Sequence, residues 1–248
     1  MKVIFLGTNG WYDTKTGNTT CVFIETKNYY IIFDAGNGFY KIDKYIKDGK
    51  KPIYLFLSHF HLDHIIGLHV LVKFNFRQKI HIFGRPRTKK ILNKIINKPY
   101  TNSFKDSKLN IKVHELKEGT HKIPFPVECR SLIHTSPCFG YRIEVDGRII
   151  TYCTDTGVCK NLLKLAKNAD ILITECGIKS GERAKVWPHL NPEEAAGVAK
   201  KSRVKKLALM HFLADKYLTL NERKKSEKKA RKIFKNTIVA FDDIQIEI

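Results

Sequence analysis

Ser58-His59-Phe60-His61-Leu62-Asp63-His64 gathers three imidazoles and one carboxylate within a few residues. Imidazole suits zinc, iron or manganese, and a carboxylate adds a hard anionic ligand. In an extended segment residues two apart point the same way. His59 and His61 can therefore grip one ion together, while Asp63 and His64, as the chain turns, can reach a second. The competing reading is a hydrogen-bonded, His-rich turn. Three histidines and an aspartate rarely gather at a strand end without a ligand role.

The flanking residues say what must position this cluster. Ile53-Tyr54-Leu55-Phe56-Leu57 is a short apolar run after a Lys/Pro breaker, the pattern of a buried strand. Ile65, Ile66, Leu68, Val70 and Leu71 then give the uneven apolar spacing of a packed helix. The cluster thus sits on a strand-to-helix turn, where side chains of one loop can converge. His-x-His-x-Asp-His after an apolar strand resembles the signature of the metallo-β-lactamase superfamily. Phe5-Leu6-Gly7-Thr8, Gly17-Asn18-Thr19-Thr20-Cys21 and Phe33-Asp34-Ala35-Gly36 resemble its N-terminal half, in order.

The rest of the chain reads as strands early and late with helices between. Strands are expected over Lys2–Gly7, Thr20–Glu25, Tyr29–Asp34, Ile80–Phe83, Ile111–Leu116, Val127–Ile133, Phe139–Val145, Arg148–Cys153, Ile171–Glu175, Lys206–Met210, Thr237–Phe241 and Ile244–Ile248. Asp146-Gly147 between two such runs is a strong hairpin signal. Helices are expected where Phe39, Ile42, Tyr45 and Ile46 recur, over Pro86–Asn97, over Leu162–Ala169, and over a long basic stretch from Leu220 to Phe234. Another begins at Asn191-Pro192-Glu193-Glu194, which offers a cap, a first-position proline and an acid three residues after the cap. Residues 1–248 read as one domain without linker or repeat. Alternation alone allows an ordinary three-layer α/β fold. The resemblance implies a four-layer αββα sandwich.

It also implies a ligand set. His134 follows the strand ending Leu132-Ile133, Asp155 follows Ile150-Thr151-Tyr152-Cys153-Thr154, and His211 closes Leu207-Ala208-Leu209-Met210. By resemblance, one ion takes His59, His61 and His134, the other takes Asp63, His64 and His211, and Asp155 spans both. The cofactors are then two divalent metal ions, zinc foremost, with manganese and iron as alternatives. Asp63 could also take a proton from water between the ions. His189 lies two residues ahead of the Asn191 cap, where ribonuclease Z and related phosphodiesterases carry a histidine that acts on the phosphate or leaving group. An imidazole of near-neutral pKa can donate a proton to a departing alkoxide. His69, His81, His114 and His121 are assigned no role.

Such a site hydrolyses phosphodiesters, thioesters, lactones and lactams alike. Lys+Arg 45 against Asp+Glu 24 gives a net charge of +21, a surface that attracts polyanions such as RNA or DNA, or one that reflects a Lys-rich proteome. An anionic phosphodiester is the expected substrate, by ribonuclease Z-like chemistry. The resemblance is incomplete. The long substrate arm that ribonuclease Z carries between its third histidine and bridging aspartate is replaced by a hairpin between His134 and Asp155, and Gly17-Asn18-Thr19-Thr20 differs from that enzyme's Arg-Asn pattern. A small phosphodiester or single-stranded nucleic acid fits better than transfer RNA. The alternatives are a thioesterase or lactonase of the same fold, and a nucleic-acid-binding protein with a structural metal, motivated by the Arg223–Lys232 basic run. Six cysteines without Cys-x-x-Cys spacing read as free thiols. Met1–Gly7 reads as a strand rather than a signal peptide, and no apolar run reaches the roughly eighteen residues of a membrane span. A cytoplasmic setting is expected, and a homodimer stays open.

Overall fold

The computed structural model describes every residue of the chain except Lys185. Two seven-stranded sheets dominate it. The first runs from Gln245–Glu247 through Lys2–Gly7, Cys21–Glu25, Tyr30–Phe33, Ile53–Phe56 and Ile80–Gly84 to Ile111–Glu115. The second runs from Thr237–Val239 through Lys206–Met210, Ile171–Glu175, Arg148–Cys153, Cys138–Val145 and Pro126–Leu132 to Gly119–Lys122.

Val3-Ile4-Phe5-Leu6 explains the layering. A strand sends successive side chains to opposite faces. Val3 and Phe5 enter a core shared with Tyr141, Tyr152, Ile171 and Ile173 of the other sheet. Ile4 and Leu6 face away, into a core with Phe39, Leu68 and Leu92. In the second sheet Leu172, Leu207 and Leu209 face outward onto Leu162, Ala195 and Ala230 of the helices Lys160–Ala166, Pro192–Lys201 and Leu220–Arg231. Three apolar cores therefore separate four layers, helix–sheet–sheet–helix, the sandwich expected from the sequence. Burial on both faces is why strands such as Ile171-Leu172-Ile173 are continuously apolar.

Local signals hold where chemistry dictates geometry. Asp146 and Gly147 both take positive φ (51° and 71°), as a tight hairpin between antiparallel strands demands. Asn191 caps its helix by accepting from the Glu194 amide, with Glu194 returning the bond and Pro192 at the first turn. Three expectations differ in detail. The segment after Gly36 winds as a 3₁₀ helix over Asn37–Lys44, and within it Gly38 is pressed so close to the Leu6 carbonyl that a Cβ would lie 2.5 Å from it. At the end of the histidine cluster, only Leu62–Ile65, which carries Asp63 and His64, is α-helical, and Ile66–Lys73 continues as 3₁₀. The basic helix stops at Arg231, and Ile233 and Phe234 turn in against the core. The strand Gly119–Lys122 went unread, since Gly-Thr-His-Lys is a polar edge strand without apolar periodicity.

Strand direction places the site. Tyr30–Phe33, Ile53–Phe56 and Ile80–Gly84 are parallel, as are Arg148–Cys153, Ile171–Glu175 and Lys206–Met210. Asp34, His59, Asp155, Glu175 and His211 all fall at or just past the carboxyl ends of these strands, where open α/β sheets bind ligands. All six cysteines are free, and Cys21, Cys153 and Cys176 are buried. No helix among the described residues is long and apolar enough to cross a membrane.

Candidate active site

Asp155 stands at the centre of the site. Its Oδ2 lies 3.8 Å from His59 Nε2 and 3.7 Å from His134 Nε2. Its Oδ1 lies 3.2 Å from His64 Nε2 and 3.1 Å from His211 Nε2. His61 Nδ1 joins the first group, 3.3 Å from His134 Nε2. Asp63 Oδ2 joins the second, 3.4 Å from His64 Nε2 and 3.5 Å from His211 Nε2. The seven residues singled out in the sequence thus form two groups that meet on one carboxylate, each with its donor atoms within 4.8 Å of one another. His81 and His114 bond to each other on neighbouring strands, outside this cluster.

The donor set fits divalent cations. His59 Nε2, which faces Asp155, is buried without a hydrogen-bond partner among the described residues, and an orphaned buried polar atom costs about 1–3 kcal/mol. His64 Nε2 and His211 Nε2 face each other at 3.2 Å. Nitrogens and carboxylate oxygens without a thiolate are the ligands of a catalytic rather than a closed structural centre. The electrostatics agree. Burial holds His59 and His61 below the usual imidazole range and His134 at about 4, against the pull of Asp155. Burial would keep His64 neutral too, yet the Asp155, Asp63 and Asp34 carboxylates around it drive its basicity up. Burial works against ionised Asp155, but His211, His64 and His59 hold its carboxyl well below the usual range. Three carboxylates converging on one buried point call for positive charge.

Several contributors were not read from the sequence. Asp34 accepts from Ser58 N (2.7 Å), Ser58 Oγ (2.8 Å) and Tyr152 OH (2.7 Å), and lies 2.8 Å from His64 Nδ1. That contact fixes His64 so that Nε2 faces the cluster. Glu175 lies 2.9–3.0 Å from His189 Nδ1 and accepts from the Leu190 and Gly177 amides. The available signal was an acid ending an apolar strand, which both share. His189 is only 8% exposed and shares a donor group with Asp155 and His211. Burial opposes its charge, but Glu175 overrides this and pushes its pKa up to about 9.

Backbone strain concentrates here. Trp11, Asp34, Asp155 and His211 all have positive φ (76°, 56°, 52° and 50°), conformations that cost roughly 1–3 kcal/mol each and persist only where packing over-determines them. Gly10 shows why the packing is tight. A Cβ there would lie 2.5 Å from His211 Cε1, because Asn9–Gly10 pairs with Phe212–Leu213 directly over that ring. Above the cluster opens a cavity of about 890 Å³, with Trp11, Trp187, Arg183 and Lys216 among its walls.

A family model described as a beta-lactamase superfamily domain matches residues 29–212. Among individual proteins, the chain is 25% identical to a ribonuclease Z of Bacillus velezensis over 310 aligned positions, covering all of this chain and 99% of that protein. It superposes on the human short-form tRNase Z with a TM-score of 0.79 and 25% identity, covering 100% and 99% of the two chains. The metallo-beta-lactamase fold protein YhfI of Bacillus subtilis gives 0.82 with 21% identity, covering 100% and 98%.

Proposed function

Because the chain belongs to the beta-lactamase superfamily, we propose that it is a phosphodiesterase using two divalent metal ions, with residues 1–248 forming one catalytic domain. His59, His61 and His134 would hold one ion, Asp63, His64 and His211 the other, with Asp155 between them. When bound, the ions supply positive charge against the phosphate and make water nucleophilic near neutral pH, a role that suits zinc, with manganese and iron as alternatives. Asp63 Oδ2 is engaged by the Trp11 amide at 2.8 Å, which leaves Oδ1 to take a proton from the attacking water. Asp34 holds His64 in register through Nδ1. His189, kept protonated by Glu175, donates a proton to the departing alkoxide.

The observation that carries this reading is the His189–Glu175 pair. A thioester's thiolate leaves without needing a buried imidazolium, whereas the alkoxide of a phosphodiester, like that of a lactone, is helped by one, and charge then separates those two. The net charge of +21 suits an anionic substrate. The substrate we favour is a small phosphodiester or single-stranded nucleic acid. His134 and Asp155 are joined by little more than the hairpin Cys138–Val145/Arg148–Cys153, and the Bacillus velezensis alignment spans 310 positions against 248 residues here. The chain therefore lacks segments that its ribonuclease Z relative carries.

The test is hydrolysis of bis(p-nitrophenyl) phosphate and a ribodinucleoside monophosphate beside a thioester and a lactone, with zinc or manganese, for wild type and His189→Ala. We expect cleavage of both diesters. His189→Ala should lose about a hundredfold or more on the ribodinucleotide, whose leaving group is poor. Cleavage of the thioester or lactone alone, with His189→Ala silent, overturns the substrate class.

A further inference from the structure

The chain has two tryptophans, and both stand at the mouth of the active-site cavity. Trp11 is 64% exposed and Trp187 51%. A Trp side chain is among the largest apolar groups a fold can bury, so leaving both in water forgoes substantial stabilisation. They also neighbour different groups of the metal-binding cluster. The Trp187 ring centroid is 5.8 Å from that of His61 and 5.9 Å from that of His134, both of the first group. The Trp11 amide donates to Asp63 Oδ2, of the second group, at 2.8 Å.

Both tryptophans sit next to anchored residues. Trp11 is held at φ 76°, and its loop is tied by Asn9 Nδ2 to Tyr12 O (3.1 Å) and Thr14 Oγ1 (3.0 Å). Beneath it the fully buried Arg223 donates to Thr8 Oγ1, Thr16 Oγ1 and Asn9 Oδ1. Trp187 is two residues from His189, itself pinned by Glu175. Leu62 and Val186 extend the exposed apolar rim, and Arg183 and Lys216 put cations in the same walls.

Resting on the phosphodiesterase reading, we propose that Trp11 and Trp187 form a two-sided base clamp. It selects single-stranded nucleic acid by stacking one nucleobase on each side of the scissile phosphate. A diester lying over Asp155 sends one arm toward each tryptophan. Flat aromatic surfaces stack on any base, since every base has a π-face, so the clamp demands bases without choosing among them. Apolar rings flanked by cations match a strand of bases on a phosphate backbone. A small dialkyl diester has nothing for the rings to hold.

With no other tryptophan in the chain, intrinsic fluorescence reports the clamp directly. The titration uses the metal-loaded protein and a slowly cleaved phosphorothioate-linked dinucleotide, beside its abasic counterpart, with wild type, Trp11→Phe and Trp187→Phe. Saturable quenching by the dinucleotide is expected in all three, with each single-tryptophan protein reporting one side, and none with the abasic ligand. In turnover, wild type should prefer the base-bearing dinucleotide over the abasic one by about a hundredfold in kcat/KM, and each Trp→Ala should cut that preference by roughly tenfold. Equal use of both dinucleotides without quenching overturns the clamp and leaves the phosphodiesterase reading standing. Failure to cleave any diester sinks that reading instead, and the quenching titration still decides the clamp. A blue shift on raising protein concentration alone, with a doubling of mass, overturns it differently, since the rim would then be an interface between two copies of this chain.

Discussion

Asp155 on the floor of the cavity is 3% exposed, while Trp187 on its rim is 51% exposed. The floor is built from strand ends. Asp34, His59, Asp155, Glu175 and His211 leave the carboxyl edges of parallel strands, and each is hydrogen-bonded or packed into place from below. The rim is built from the loops around Trp11 and Trp187, and its side chains meet solvent. Rigid, desolvated floors set what reaction can occur. Rims held by the same scaffold can change the substrate without touching the chemistry. The difference teaches that mutations in the two regions should fail in different ways, kcat and metal content for the floor, KM for the rim.

The largest effect should come from the shared carboxylate. Asp155→Asn keeps size and tolerates the positive φ, but it removes the charge facing both donor groups. Losing the charge stabilisation of even one ion is worth several kcal/mol, so kcat/KM should fall by about a thousandfold or more. Metal analysis should find fewer than two ions per chain. A fully active variant with two ions would remove Asp155 from the centre of the floor.

Asp34→Asn should do less. Asparagine also tolerates φ near 56°, so the backbone survives. Its amide, however, cannot satisfy Ser58 N, Ser58 Oγ, Tyr152 OH and His64 Nδ1 together, since one carboxylate oxygen becomes a donor. Orienting partners of this kind are worth roughly ten- to a hundredfold in metal affinity. A chelator competition should register that loss, while an unchanged affinity would mean that Ser58 alone fixes His64.

The floor was largely legible because strand ends announce themselves. A polar ligand type at or just past the end of a strand-like run marks His59, His134, Asp155 and His211, and the resemblance then orders them. Asp34 and Glu175 end their runs in the same way, but each acts through another side chain, His64 or His189, and pairing across the fold leaves no local pattern. The four layers were legible only through the resemblance, because continuously apolar strands buried on both faces suit a three-layer α/β fold equally well. The 3₁₀ windings were not legible, because the apolar spacing of segments such as Phe39, Ile42 and Ile46 does not tell a 3₁₀ turn from an α turn. The rim was hardest. Trp11 and Trp187 sit in loops without periodicity, and only their shared cavity reveals them as a pair.

Glu175→Gln tests the join between floor and rim. Glu175 outweighs burial to hold the His189 pKa at about 9. A general acid works in its protonated form, so wild-type turnover should hold through neutral pH and fall as pH rises through about 9. Glutamine still accepts from the Leu190 and Gly177 amides but withdraws the charge. Burial then dominates, the pKa drops, and the alkaline fall moves to lower pH. At pH 8 the variant should be down by about tenfold on a ribodinucleotide, each pH unit above the new pKa costing a factor of about ten. It should be nearly unaffected on bis(p-nitrophenyl) phosphate, whose leaving group needs no proton. Superimposable pH profiles would show that the alkaline limb belongs to another group.

Lys216→Ala should have the smallest effect and draws the boundary most sharply. Lys216 Nζ pairs with Glu182 Oε2 at 2.9 Å, with both side chains partly in solvent. Such pairs contribute roughly 0–1 kcal/mol to stability, so the melting temperature should barely move. What the cation can do from the cavity wall is attract the phosphate backbone. That attraction is screened over about 10 Å at 0.1 M salt. KM for a dinucleotide should therefore rise about two- to threefold at low ionic strength and return to the wild-type value in high salt, with kcat unchanged throughout. A fall in kcat that persists in salt would mean that Lys216 takes part in the chemistry, and the boundary between a reacting floor and a selecting rim would have to be redrawn to include it.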